Sequence, residues 1–269
     1  MIPRRAYADG PFGQVHFQHQ GEGHPLVLLH QAPMTSAQFD WVYAPLAARG
    51  IQAIGIDMPG FGQSDPTPFV PGVPDYAAIV PPVLDALGLA SASVLGHHTG
   101  ALVATEVAIQ FADRVEALIL NGPLPLTEAE RAAYLAGGHQ WELGFTAQPH
   151  AGHMRELFDI RAGFADGSVP LTRISDYVVQ ALVGRGTFWH GHHAAFQYRQ
   201  DETLPRITQP TLILTNSGDS IFDHAVRAHA IRPDFAFVAL DGGGVDIVDQ
   251  QPEAWADAVA AFLQAQGRL

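Results

Sequence analysis

Histidine is the residue type in this chain best suited to chemistry. There are 14 histidines among 269 residues and no cysteine, so thiolate catalysis, thiolate zinc sites and disulfides are excluded. Two of the histidines stand together in Gly96-His97-His98-Thr99-Gly100, a sharp turn with small residues at both ends. An unperturbed imidazole titrates near ~6.5, so a histidine exposed in such a turn could act as a general base on water, C–H or O–H. It could also attack an acyl group and form an acyl-imidazole. Three other stretches carry polar groups in turn-like contexts: His30-Gln31-Ala32-Pro33, Asp57 to Ser64, and Asn216-Ser217-Gly218-Asp219. The run Trp189-His190-Gly191-His192-His193 looks like a metal cluster at first sight. It lacks an H-E-x-x-H pattern or an equivalent that would make ligands converge, so no metal is expected there.

Each of these stretches follows a short apolar run. Pro25–His30, Ile51–Asp57, Ala92–Gly96, Val115–Asn121, Thr211–Thr215 and Phe235–Leu240 are too short for helices and read as buried strands. Helical spacing fills roughly Ser36–Arg49, Asp75–Leu89, Thr99–Ala112 and Pro252–Gln266. Strands alternating with helices predict an α/β fold, a mostly parallel sheet with helices on both faces. Gln14–His19 reads as part of an antiparallel strand pair leading in. From Pro123 to Arg206 the strand rhythm stops and helices broken by Gly and Pro take over. The expected organisation is a core of residues 1–122 and 207–269 with a helical cap, 123–206, inserted. Sites in such sheets form at the carboxyl ends of strands, where the polar stretches lie.

This set of loops resembles the α/β-hydrolase fold superfamily over nearly the whole chain. His30-Gln31-Ala32-Pro33 is similar to its H-G-x-P oxyanion loop. Asp57 to Ser64 matches D-x-x-G-x-G-x-S, and Gly96 to Gly100 matches the G-x-S-x-G nucleophile elbow in frame. Asp219 falls at the position of the acid after the sheet's later strand, and Val245, seven residues before Pro252-Glu253, falls where the family has its histidine. The resemblance implies a non-standard site, because the elbow holds His98 and the histidine position holds Val245. A Ser-His-Asp triad cannot be assembled. It also implies an oxyanion hole from the Ala32 and Thr99 backbone N–H groups. His98 and Asp219 are the expected catalytic residues, although Asp219 could equally cap the following helix. His97, Trp141, Trp189, His190 and Val245 form the expected substrate-binding set, and His30 is expected to brace the loop. Asp246 is a weaker substitute for the missing histidine, requiring a one-residue shift of its loop.

Composition narrows the partners. With 14 basic and 27 acidic residues the net charge is −13, a poor match to nucleic acid or anionic membrane. No apolar segment follows the two N-terminal arginines and no run is long enough to span a bilayer. The expectation is a cytoplasmic protein with a small-molecule ligand and no cofactor. Three functions remain open. One is cleavage of an ester, lactone or activated C–C bond in a small, largely apolar molecule. The second is a lyase, cyclase or cofactor-free oxygenase reaction on the same fold. The third is ligand binding without turnover. A serine-directed fluorophosphonate is expected to leave the protein unlabelled, and intact-mass detection of a stoichiometric adduct on any serine would show a misplaced nucleophile.

Overall fold

The apolar runs pair into one eight-stranded sheet in the computed structural model, which describes residues 2–269. The strands are β1 (Arg4–Gly10), β2 (Gly13–Gln20), β3 (His24–Leu29), β4 (Ile51–Ile56), β5 (Ala92–His97), β6 (Val115–Asn121), β7 (Thr211–Asn216) and β8 (Ala236–Leu240). Their order is β1-β2-β4-β3-β5-β6-β7-β8, antiparallel at β1-β2 and β2-β4 and parallel elsewhere. The order reverses at β3, whose neighbours are β4 and β5. That switch point opens a crevice at the carboxyl ends of β3 and β5. Leu29 pairs with Gly96 there, so the loop after β3 and the turn after β5 emerge side by side.

Two helical layers cover the sheet. The first holds α1 (Tyr43–Ala48), α12 (Ile247–Gln250) and α13 (Pro252–Ala265). They bury Tyr43, Leu46, Ile247 and Trp255 against Leu26 and Leu28. The other holds α2 (Val73–Ala77), α3 (Val80–Ala86), α4 (Thr99–Gln110) and α11 (Phe222–Ile231), packed on Val27 and Leu29. The alternation along β3 assigns its residues to opposite layers. Two helices expected from spacing are divided. Ser36–Phe39 is a short 3-10 turn ahead of α1, because Thr35 caps it and Asp57 Oδ1 takes the Ser36 N–H at 2.7 Å. The stretch 75–89 splits between α2 and α3, since Pro81 and Pro82 have no N–H to donate and fit only the first turn of a new helix.

Between β6 and β7 the chain leaves the sheet as α5 (Glu128–Ala136), α6 (Gly138–Leu143), α7 (Gly152–Ala165), α8 (Leu171–Val183), α9 (His190–Gln197) and α10 (Gln200–Thr203). This helical excursion lies over the carboxyl edge. A Cβ on Gly191 would sit 2.5 Å from Ala32 Cβ, and one on Gly186 would sit 2.7 Å from Gly60 Cα. Both glycines are needed for contact that close. Among the described residues no helix is long and apolar enough to cross a membrane.

Asp57 fastens the loop after β4 to the rest. Its carboxylate accepts from Ser36 N and Gln63 N and pairs with His16 Nδ1, at 2.7, 2.9 and 2.8 Å. Burial would push this carboxyl up, but the bond from His16 and its other partners outweigh burial and hold it below its ordinary value. Gly62 (φ 53°) is packed so tightly that a Cβ would lie 2.0 Å from Asp57 Oδ2. Gly62→Ala is therefore expected to cost on the order of 3 kcal/mol, combining a left-handed backbone with a displaced buried carboxylate. The denaturant midpoint of the variant checks this.

Candidate active site

The turn after β5 is set by three backbones in contact. A Cβ on Gly96 would lie 1.9 Å from Gly100 O, and one on Gly100 would lie 2.0 Å from Leu29 O. Only glycine lets α4 start this close to β5 and β3. The residue between them takes the strain: His98 has φ 50° and ψ −111°, a conformation costly for any side chain. Its N–H donates to Asn121 O at 2.8 Å, and its ring reaches over Gly122, where a Cβ would come within 2.7 Å of Cδ2.

The reach ends at Asp219. His98 Nε2 and Asp219 Oδ2 are 2.7 Å apart, and the Asp219 side chain is fully buried. Burial pushes the Asp219 carboxyl up, but the adjacent His98, its hydrogen bond and the Ile221 N–H overcome this and bring it down to about 2. Asp219 is thus ionised at any working pH and must accept, so the proton of neutral His98 sits on Nε2. Nδ1 keeps a lone pair, bonds nothing among the described residues, and belongs to a side chain that lines the cavity. Asp219 also takes the Ile221 N–H on Oδ1 at 3.1 Å. The imidazole contact is thus direct, while the expected helix cap is not formed: α11 starts at Phe222 behind Ile221 with no side-chain cap, and Asp219 only closes the turn before it.

The cavity measures about 390 Å³ and is mostly apolar. Ala32 and Thr99 lie on its floor, and among the described residues neither N–H has an acceptor. The loop that carries Ala32 is braced as expected of His30, whose Nδ1 donates to Gln31 O while Nε2 accepts from Met58 N, at 2.9 and 3.0 Å. Val245 and Trp141 also line the cavity. Three of the expected binding residues do not. His97 is fully buried on the other side of the turn, where Gln38 Nε2 donates to its Nδ1. Consecutive residues at a strand end point to opposite sides, so His98 in the cavity puts His97 out of it. Trp189 and His190 are also absent from the lining: α9 turns His192, Ala195 and Phe196 inward, the i, i+3, i+4 face, and His190 lies off that face. Trp189 packs edge-on against His139 and His193 instead. Asp246 forms no hydrogen bond to His98 among the described residues and pairs with Arg161 instead.

Several lining residues were not read from sequence. Glu142 and His192 form a bonded pair, and Arg161 lies over the Tyr177 ring at 4.6 Å. They come from α6, α7, α8 and α9, and nothing in their local spacing signals which helix faces meet.

Known proteins are similar in the same region. The alpha/beta hydrolase fold family profile matches residues 24–159. The (E)-2-((N-methylformamido)methylene)succinate hydrolase of Acinetobacter baylyi is 31% identical over 121 residues, 45% of this chain and 46% of that protein. The match thus spans about half the length of that relative. The non-heme chloroperoxidase of Streptomyces lividans is 26% identical over 265 residues, covering 91% of this chain and 93% of its own. Among solved structures, E-2-(acetamidomethylene)succinate hydrolase superposes with a TM-score of 0.80 at 18% identity, covering 97% of this chain and 99% of the other.

The pairing has a stability signature. A carboxyl at 3.8 in the unfolded chain and about 2 in the folded one contributes about 2 kcal/mol above pH 4, lost as pH falls towards 2. Asp219→Asn is expected to flatten the acid limb of stability over that window. Denaturant melts at stepped pH measure it.

Proposed function

Because the chain belongs to the α/β-hydrolase family, we propose that it is an enzyme acting on a small, largely apolar carbonyl compound through His98 as general base. The substrate class is an ester, lactone or ketone with an activated C–H or C–C bond. The observation that carries this reading is the 2.7 Å His98–Asp219 contact, which fixes one ring nitrogen as donor and leaves the other as base at the cavity. A substrate carbonyl oxygen seated on the Ala32 and Thr99 N–H groups would place its carbon beside Nδ1. His98 then takes a proton from water, whose oxygen adds to the carbonyl carbon, or from the acidic C–H next to it. The developing oxyanion rests on the two N–H groups, and Asp219 stabilises the imidazolium formed. On collapse the imidazolium returns its proton to the leaving group or to carbon. The helical excursion serves as the cap, and Trp141 from it and Val245 from the core are among the apolar contacts to substrate.

Only neutral imidazole accepts a proton, so activity should rise with pH through one ionisation while Asp219 stays charged. Hydrolysis of p-nitrophenyl butyrate and deuterium uptake by phenylacetone probe the two proton sources. His98→Gln keeps the ring's approximate volume but cannot take the proton. It is expected to lose about 10²–10⁴ in rate, as is His98→Ala. Wild-type rates in the Gln variant would reduce His98 to a residue that merely orients the ligand.

A further inference from the structure

The cavity contains a second histidine–carboxylate pair that the reading above leaves unused. His192 on α9 and Glu142 on α6 both line the cavity and are hydrogen-bonded through Nδ1 and Oε1. The His192 ring lies flat on Phe196, with centroids 5.6 Å apart and planes within 7°, which fixes its direction. Behind Glu142 stands His139, one turn earlier on α6 and 4% exposed. His139 Nδ1 and Glu142 Oε2 are 4.0 Å apart. Both atoms are sealed from solvent, and among the described residues neither has a hydrogen-bond partner. A shift of about 1 Å would join them within normal hydrogen-bond distance. On its other edge His139 Nε2 lies 3.0 Å from Nδ1 of His193, which is only half-buried. Four titratable side chains thus run from the cavity wall towards the surface.

We propose, resting on His98 as the base, that His192 is a second acid–base group of this cavity and that Glu142, bonded to its Nδ1, holds its imidazolium form. The substrate class that needs both groups is an enolisable carbonyl compound that regains its proton at a different atom, such as a β,γ-unsaturated ketone. His98 Nδ1 removes the α-proton, and the C–H pair becomes part of a dienolate whose oxygen rests on Ala32 and Thr99. The His192 imidazolium delivers its Nε2 proton to the γ-carbon. The dienolate pair forms that C–H bond, and the carbonyl is restored in conjugation. One proton leaves, one arrives, and no redox change occurs. His98 then loses its proton to solvent, and His192 Nε2 regains one from water entering the cavity while Nδ1 keeps its proton on Glu142. Charged and titratable groups around His192 are Glu142 and His139 from α6, His190 and His193 from its own helix, and Tyr134 from α5. Burial, and then neighbouring His139, holds His193 below its ordinary value.

The probe is 3-cyclohexen-1-one, followed by ultraviolet absorbance for conversion to the conjugated enone and by NMR in D₂O for α-exchange. Wild type is expected to do both. His98→Gln should lose both, and His192→Gln should lower the ratio of conversion to exchange at least ~10-fold. Circular dichroism qualifies each variant as folded. A wild type that exchanges without converting, or a His192→Gln variant with the wild-type ratio, overturns the proposal. A wild type that does neither overturns the His98 reading instead. Glu142→Gln should lower the same ratio in the same direction, because the uncharged amide no longer stabilises the His192 imidazolium. A Glu142→Gln variant with the wild-type ratio would overturn the pair as an acid–base group.

Discussion

The close approach of Gly96, Gly100 and the end of β3 governs the whole site. Because Gly100 has no Cβ to meet Leu29 O, α4 begins directly over the β3 loop, and the N–H groups of Thr99 and Ala32 open on one cavity. The same contact forces His98 into its strained conformation and lifts its side chain from the sheet edge. Once there, the imidazole is long enough to cross Gly122 and reach Asp219. One residue therefore spans the distance from the turn after β5 to the Asp219 carboxylate. Asp219 Oδ1 is occupied by the Ile221 N–H, which leaves Oδ2 for a single imidazole.

Buried ion pairs hold the cap over this arrangement. Arg161 on α7 pairs with Asp246, and Arg173 on α8 pairs with Asp249 at 3.0 Å while donating to Ala37 O and Gln38 O. Burial raises both aspartates, and the arginine in each pair opposes it. Such pairs add little net stability, but removing one partner leaves a buried charge at a cost of about 3–5 kcal/mol. Their effect is orientation: they tie α7 and α8 to the segment around α12, immediately beyond Val245.

The strands and their loops were legible in the sequence because their determinants are local. Apolar runs ending in Gly96-His97-His98-Thr99-Gly100 or Asp57 to Ser64 carry both the strand and the glycines that its turn requires. Elements set by distant contacts were not. The polar edge strand β1, mostly exposed, has no apolar run to announce it. Asp219 meets His98 across 121 residues, so direct contact could not be separated from capping. In His190–Gln197 polar and apolar residues mix on every side, and only docking against Ala32 and α6 decides that His192 faces inward and His190 does not.

His97 completes the electrostatic argument. Its ring centroid is 4.6 Å from that of His98. Two imidazolium charges at that spacing would repel by about 3–4 kcal/mol at an effective dielectric near 20. Burial first, and then the proximity of His98, holds His97 well below its ordinary value, so it remains neutral when His98 takes a proton. Gln38 fixes its orientation by donating to Nδ1. The neighbour that sequence pattern placed in the substrate cavity thus sits behind it and stays uncharged, so under the proposed mechanism Asp219 would face a His98 imidazolium with no opposing cation beneath the turn.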